Sequence, residues 1–132
     1  MITKNSDFDL DFANGREGEQ LVESLLTGGL TVEVKRDLRW KDTGNLFIET
    51  ECYYISKEAW GPSGLAVTKA AYWAFVLGDS TLLVPTDTLK ETVRRNGRAI
   101  ENRTPPNYSR GYLITPADLI QMIKEKTNAQ QK

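Results

Sequence analysis

Two stretches near the middle of the chain alternate between apolar and polar residues with the two-residue period of a half-buried strand. In residues 30–37, Leu30, Val32 and Val34 fall on one face, and Thr31, Glu33, Lys35 and Asp37 on the other. In residues 45–55, Leu46, Ile48, Thr50 and Cys52 oppose Phe47, Glu49, Glu51 and Tyr53. Asp42-Thr43-Gly44 lies between them, a three-residue loop with Gly44 in the left-handed position, so the pattern predicts a β-hairpin. In that register Lys41 faces Asn45, Asp37 faces Glu49, and Lys35 faces Glu51, with Cβ atoms about 5 Å apart.

Helical spacing precedes the hairpin. Asn14 is an N-cap residue with Glu17 at N3, Leu21, Val22, Leu25 and Leu26 form one apolar stripe, and Gly28-Gly29 stop the helix. Gly18 falls within the stripe, where it permits close approach of another backbone, and Glu19 sits at its edge. After the hairpin, "WGPSG" (60–64) is a breaker and "LAVTKAAYW" a short helix. "WAFVLGDSTLLVP" reads as two strands about a turn at Gly78-Asp79. Thr88 with Glu91 is a capping box for a basic helix ending at Asn96-Gly97. "RAIENRTPPNYSRGY" is an irregular basic loop, broken by Pro105-Pro106. Thr115 to Asp118 open a last helix to about Lys126, with Pro116 at N1 and a frayed tail beyond. This order predicts one mixed α/β (α+β) domain over residues 1–132, a central mixed β-sheet flanked by helices.

Composition supports a core, since the chain is 39% hydrophobic with three Trp and five Tyr. No apolar run reaches the roughly 18 residues of a membrane span, and "MITKNSDFDLDF" has no apolar signal region. The single cysteine, Cys52, excludes an internal disulfide and fits a reducing compartment, so a cytoplasmic protein is expected. The absence of histidine narrows the chemistry most. It removes Ser-His-Asp and Cys-His catalysis and histidine zinc sites, leaving carboxylates, Lys, Tyr and hydroxyls, with a hard cation as partner.

The net charge is −1, but charge is unevenly spread. Asp7, Asp9, Asp11, Glu17, Glu19 and Glu23 crowd the first 23 residues. Lys90, Arg94, Arg95, Arg98, Arg103 and Arg110 oppose only Glu91 and Glu101 further on. A cluster of Arg94, Arg95, Arg98, Arg103 and Arg110 suits contact with a phosphate backbone. In the predicted hairpin, Asp37 and Glu49 repel each other unless a cation separates them. Mg²⁺ (or Mn²⁺) takes one or two carboxylates and keeps water or substrate phosphate as its other ligands. With Lys35 beside Glu51, these are the parts of metal-assisted phosphodiester hydrolysis.

A helix glutamate, a strand-end aspartate and then "IETE" resemble the PD-(D/E)xK nuclease superfamily. "GREGEQLVESLL" is similar to the Gly-x-x-x-Glu helix opening of archaeal-type Holliday-junction resolvases, and "SGLAVTKAAYWAFV" resembles phage and mobile-element members. The resemblance, over about residues 14–78, implies a restriction-endonuclease-like core and a metal-dependent DNA endonuclease for branched or phage/mobile-element DNA, acting as a homodimer in a bacterial or phage-infected cell. It implies Glu19, Asp37 and Glu49 as metal ligands, Glu51 as further ligand or general base, and Lys35 as charge stabiliser. Ser63, Thr68 and Lys69 would touch substrate phosphate. Two departures stand out: Arg36 occupies the place of the usual Pro, and Glu51 that of the motif lysine. Glu33-Val34-Lys35 is an alternative (D/E)xK, though without a preceding hairpin aspartate. The alternative function is a nucleic-acid- or protein-binding module without turnover.

Plainer readings accompany these. Glu17 serves as a cap and Glu33 as surface, Lys35 with Glu51 form a cross-strand ion pair, and Trp40, Trp60, Tyr72 and Trp73 pack.

Overall fold

The two alternating stretches become strands, but in different sheets. The computed structural model describes residues 5–130, with side chains described from residue 16 onward. The elements run α1 (Asn5–Leu26), β1 (Val32–Arg36), α2 (Trp40–Thr43), β2 (Leu46–Tyr54), β3 (Ala59–Pro62), β4 (Tyr72–Leu77), β5 (Ser80–Pro85), α3 (Thr86–Asn96), β6 (Arg98–Asn102), β7 (Ser109–Ile114) and α4 (Pro116–Gln130). Single 3₁₀ turns occur at Ile55–Lys57 and Gly64–Ala66. One sheet has the order β1-β4-β5, the other β3-β2-β7-β6. The architecture is therefore mixed α+β, with a mixed sheet and an antiparallel sheet flanked by helices. Among the described residues no helix is long and apolar enough to cross a membrane.

The β1–β2 hairpin is not formed, and the segment between the strands shows why. Residues 40–43 coil into one helical turn, closed by Gly44 at φ 75° with its N–H donating to the Trp40 carbonyl. Gly44 thus adopts the left-handed conformation its position suggests, but as a helix cap. Trp40 packs against the core, which anchors this turn. β1 instead pairs in parallel with β4, Glu33 opposite Trp73 and Lys35 opposite Phe75. β2 pairs with β7 and, at its far end, with β3. The facing pairs Asp37–Glu49 and Lys35–Glu51 consequently do not exist. The apolar side of β1 is not buried either, since Val34 is 62% exposed.

The core lies where the sheets and two helices meet. Leu46, Ile48 and Ile114 come from one sheet, Trp73, Phe75 and Val84 from the other, and Leu89, Val93 and Leu119 from α3 and α4, all buried. Alternation on β2 and β4 presents one apolar face to this core. The indole N–H of Trp73 has no hydrogen-bond partner there, and the Lys35 ammonium stands 5.6 Å from the Trp73 ring centroid. α4 opens with a reciprocal cap: the Thr115 N–H donates to Asp118 Oδ2 at 2.9 Å, and the Asp118 N–H to Thr115 Oγ1 at 3.1 Å.

Other elements depart from the expected ones. α1 runs through Asn14 rather than starting there, and nothing lies within 4 Å of a Cβ built at Gly18. Leu21, Val22 and Leu26 are exposed, Leu26 by 82%. Trp60 and Gly61 belong to β3, a four-residue edge strand that tolerates Pro62 at its end. Only one 3₁₀ turn stands for the helix expected after it. α3 starts at Thr86 rather than at Thr88, and α4 continues to Gln130. The expected basic loop is an antiparallel pair, β6 and β7, with Pro105-Pro106 confined to the connection.

This placement separates two substitutions that the hairpin would have treated alike. Ile48→Ala should cost about 2–5 kcal/mol of unfolding free energy, since Ile48 is fully buried. Val34→Ala should change it by no more than about 0.5 kcal/mol. Denaturant titrations of both variants provide the check, and equal losses would contradict the two-sheet core.

Candidate functional site

From Leu46 to Thr50, β2 is paired only on its β7 side, because β3 joins it from Glu51 onward. Two sequence-selected groups collect on the edge left open. Asp37 accepts the Arg39 N–H through Oδ1 and the Phe47 N–H through Oδ2, both at 2.9 Å. Charge-assisted bonds of this kind fix a carboxylate firmly. Two residues along the strand, a step of about 7 Å, Glu49 Oε2 accepts the Ser63 hydroxyl at 2.8 Å. Ser63 is itself tied in, its N–H donating to the Thr50 carbonyl at 2.9 Å. The neighbouring Gly64 has φ 51°, and a Cβ there would collide with the Glu49 carbonyl. "PSG" is therefore the sequence of a turn that docks on Glu49.

Glu49 and Glu51 do not share a face. The β2–β7 register shifts between them: Glu49 lies opposite Gly111 and Glu51 opposite Arg110, leaving Thr50 as the extra residue of a bulge. A Cβ on Gly111 would strike the Ile48 carbonyl, so glycine permits this close crossing. The bulge inverts the alternation that follows. On one face Glu51 sits opposite Arg110, whose guanidinium stacks on Trp60 at 3.8 Å from the ring centroid. Tyr53 meets that same Trp60 edge-on. On the other, Glu49, Cys52 and Tyr54 border a separate cavity. A hydrogen bond with the Cys52 thiol, reinforced by burial and by the charges of Cys52 and Glu49, raises the Tyr54 phenol above its ordinary pKa.

The remaining selected residues are dispersed. Glu19 is exposed on α1, in a shallow cleft formed by α1 itself and Thr27. Lys35 lies 4.0 Å from Glu33 rather than beside Glu51. Thr68 Oγ1 accepts the Ala70 N–H, and Lys69 is exposed. Four of the five arginines are ion-paired. Arg94 meets Glu91, Arg95 meets Glu125, and Glu101 accepts both Arg103 Nε at 2.7 Å and Arg110 Nε at 3.0 Å. Among the described residues Arg98 has no ion pair and is exposed on β6. Trp60, expected in the core, instead forms the platform under Arg110.

Among the described residues, no three of His, Cys, Asp and Glu converge closely enough to hold a metal ion. Glu19 is thus not gathered with Asp37 and Glu49. Asp37 and Glu49 both lie along the same edge of β2, as hard carboxylate oxygens of the type Mg²⁺ prefers.

Glu101 is the organising residue that the sequence reading passed over, counted there only as an acid among cations. Alternation in "RAIEN" and "SRGYLI" was the available signal, since it places Glu101 and Arg110 opposite each other. Hydrogen bonds from Arg103 and Arg110 hold the Glu101 carboxyl below its ordinary pKa, outweighing the opposing effect of burial. A depressed carboxyl pKa adds stability that is present above the unfolded-state value and lost as pH falls through the folded one. Glu101→Gln should therefore lower the melting temperature at pH 7, and the gap from the parent protein should close on acidification into and below the carboxylate range. Thermal melts across a pH series test this; a gap that is constant with pH would contradict it.

No family model matches the chain, and comparison with curated proteins and with solved structures likewise gave no match.

Proposed function

We propose that the protein is a metal-dependent DNA endonuclease of the PD-(D/E)xK type whose centre is the open edge of β2. The observation carrying this reading is that Asp37, from the chain after β1, and Glu49, on β2, are both held at that edge, Asp37 by the Phe47 N–H and Glu49 by the buried Ser63 hydroxyl. Mg²⁺ or Mn²⁺ bound there would supply a Lewis acid for phosphodiester hydrolysis. Within the chain, Asp37 and Glu49 would hold the ion, and backbone N–H groups keep the Asp37 oxygens oriented. Ser63, next to Glu49, would donate to a substrate phosphate oxygen. Glu51 and Lys35, separated from that edge, are assigned supporting roles at most. Within the residues selected for DNA contact, Arg98 and Lys69 are the cations best suited to the DNA backbone, because Arg94, Arg95, Arg103 and Arg110 already have carboxylate partners.

A homodimer belongs to this reading, since one centre cuts one strand. The exposed Leu21, Val22 and Leu26 on α1 supply an apolar stripe that supports it. Leu26→Lys should then shift the sedimentation coefficient from dimer to monomer; a parent protein that sediments as a monomer at high concentration would remove the dimer.

The alternative, DNA binding without turnover, is favoured by a specific observation: both Asp37 oxygens are already engaged by backbone N–H groups. Incubation of supercoiled plasmid and branched DNA with the protein in Mg²⁺, Mn²⁺ or EDTA separates the two. The nuclease reading predicts metal-dependent cleavage that falls by about a hundredfold or more in Asp37→Ala and Glu49→Ala, with Glu51→Ala close to the parent. Binding with intact DNA under every condition would leave only the alternative.

A further inference from the structure

We infer that the cavity beside Glu49 receives one unpaired nucleobase, which makes single-stranded or branched DNA the substrate class. The inference rests on the reading of the β2 edge as a DNA site. The cavity, of about 500 Å³, lies between the end of β2 and the connection from β6 to β7, and Glu49, Tyr54, Ser56, Asn107 and Tyr108 line it. That volume is in the range of small-molecule sites and far too small for a duplex.

Its lining has the chemistry of base recognition. Tyr108 is 41% exposed, and its ring stacks on no other aromatic among the described residues, leaving a face for a planar ligand. Tyr54 forms a rigid wall: its hydroxyl donates to the Pro62 carbonyl at 3.0 Å, and its ring lies close over Gly61. Lys57, with its ammonium 5.4 Å from the Tyr54 ring centroid, places a cation near the cavity for a flanking phosphate. The Ser56 hydroxyl and the Asn107 amide have no hydrogen-bond partners among the described residues, so they are available to a base edge. A base inside a duplex has both faces stacked and its pairing edge engaged, so only an unpaired one presents the surfaces this cavity reads. Glu49 borders the cavity, so a base lodged there would bring its own phosphate to the edge of β2.

Fluorescence anisotropy of the full chain with a labelled single strand and its duplex, in EDTA to prevent cleavage, tests the inference. The parent should bind the single strand more tightly than the duplex. Tyr108→Leu should weaken single-strand binding about tenfold, as loss of one stacked base does, and leave duplex binding unchanged. Tyr108→Phe should restore it. All three retain the Tyr108 carbonyl that accepts the Tyr53 N–H at 3.0 Å, and matching melts of the variants establish folding. Parent-like binding by Tyr108→Leu, or equal losses on single strand and duplex, overturns the cavity assignment. Single-strand binding that depends on Tyr108, with no cleavage in any metal, supports the cavity and removes the nuclease reading. Metal-dependent cleavage by Tyr108→Leu at parental rates on every substrate does the reverse.

Discussion

Burial of Trp73 and Phe75 from β4 in one core with Leu46 and Ile48 from β2 holds together two sheets that share no strand ladder. Each such side chain, fully buried, contributes about 1.5–3 kcal/mol, more than any exposed ion pair of this molecule can. The site depends on that packing. With β1 drawn to β4, no strand pairs with β2 on that side between Leu46 and Thr50, and the edge is met instead by Asp37, from the chain after β1, and by the Ser63-Gly64 turn. The Asp37–Phe47 hydrogen bond then acts as the local link between the two halves.

The Thr50 bulge determines the chemistry available on either side of β2. Glu49 faces the cavity bordered by Tyr54 and Tyr108. Glu51 faces Arg110, Trp60 and Glu101, where charges are already balanced. Arginine on that second face has a structural occupation: Arg110 lies between an indole and a carboxylate, a geometry suited to a planar guanidinium and not to lysine. Clustered arginines in a sequence therefore need not be a binding surface, since the carboxylates that neutralise them can come from distant elements such as α4.

Local signals in the sequence mark several elements correctly and fail at others, namely the helix expected after Gly64, the helix starts at Asn14 and Thr88, and the loop that is the β6–β7 pair. The strands 32–36, 46–54, 72–77 and 80–85, the helix after Thr115 and the left-handed Gly44 were all legible, because period, capping and turn chemistry act over a few residues. Strand pairing was not legible. A loop ending in Gly44 is as compatible with a capped helical turn as with a hairpin, and the Trp40 contact that decides between them comes from the core. The bulge escapes for a related reason: strict alternation through Thr50 gives no hint that Gly111, on a distant strand, permits an extra residue. Asp37, Glu49 and Ser63 were selected and do gather at one edge. Lys35 depends on a hairpin register that the fold does not adopt, and Glu19, chosen as the helix glutamate at the edge of an apolar stripe, stays exposed on α1.

Two sheets instead of one leave four edge strands, each a template on which another chain could add. All four are blunted. β1 carries Glu33, Lys35 and Arg36 in five residues, β3 is only four residues long and ends in Pro62, β5 ends in Pro85, and β6 is bracketed by Arg98 and Glu101. Several charges that first suggest catalysis or DNA contact thus have a second occupation, as guards against sheet-to-sheet aggregation. Neutralising them would act on solubility before it acted on any reaction.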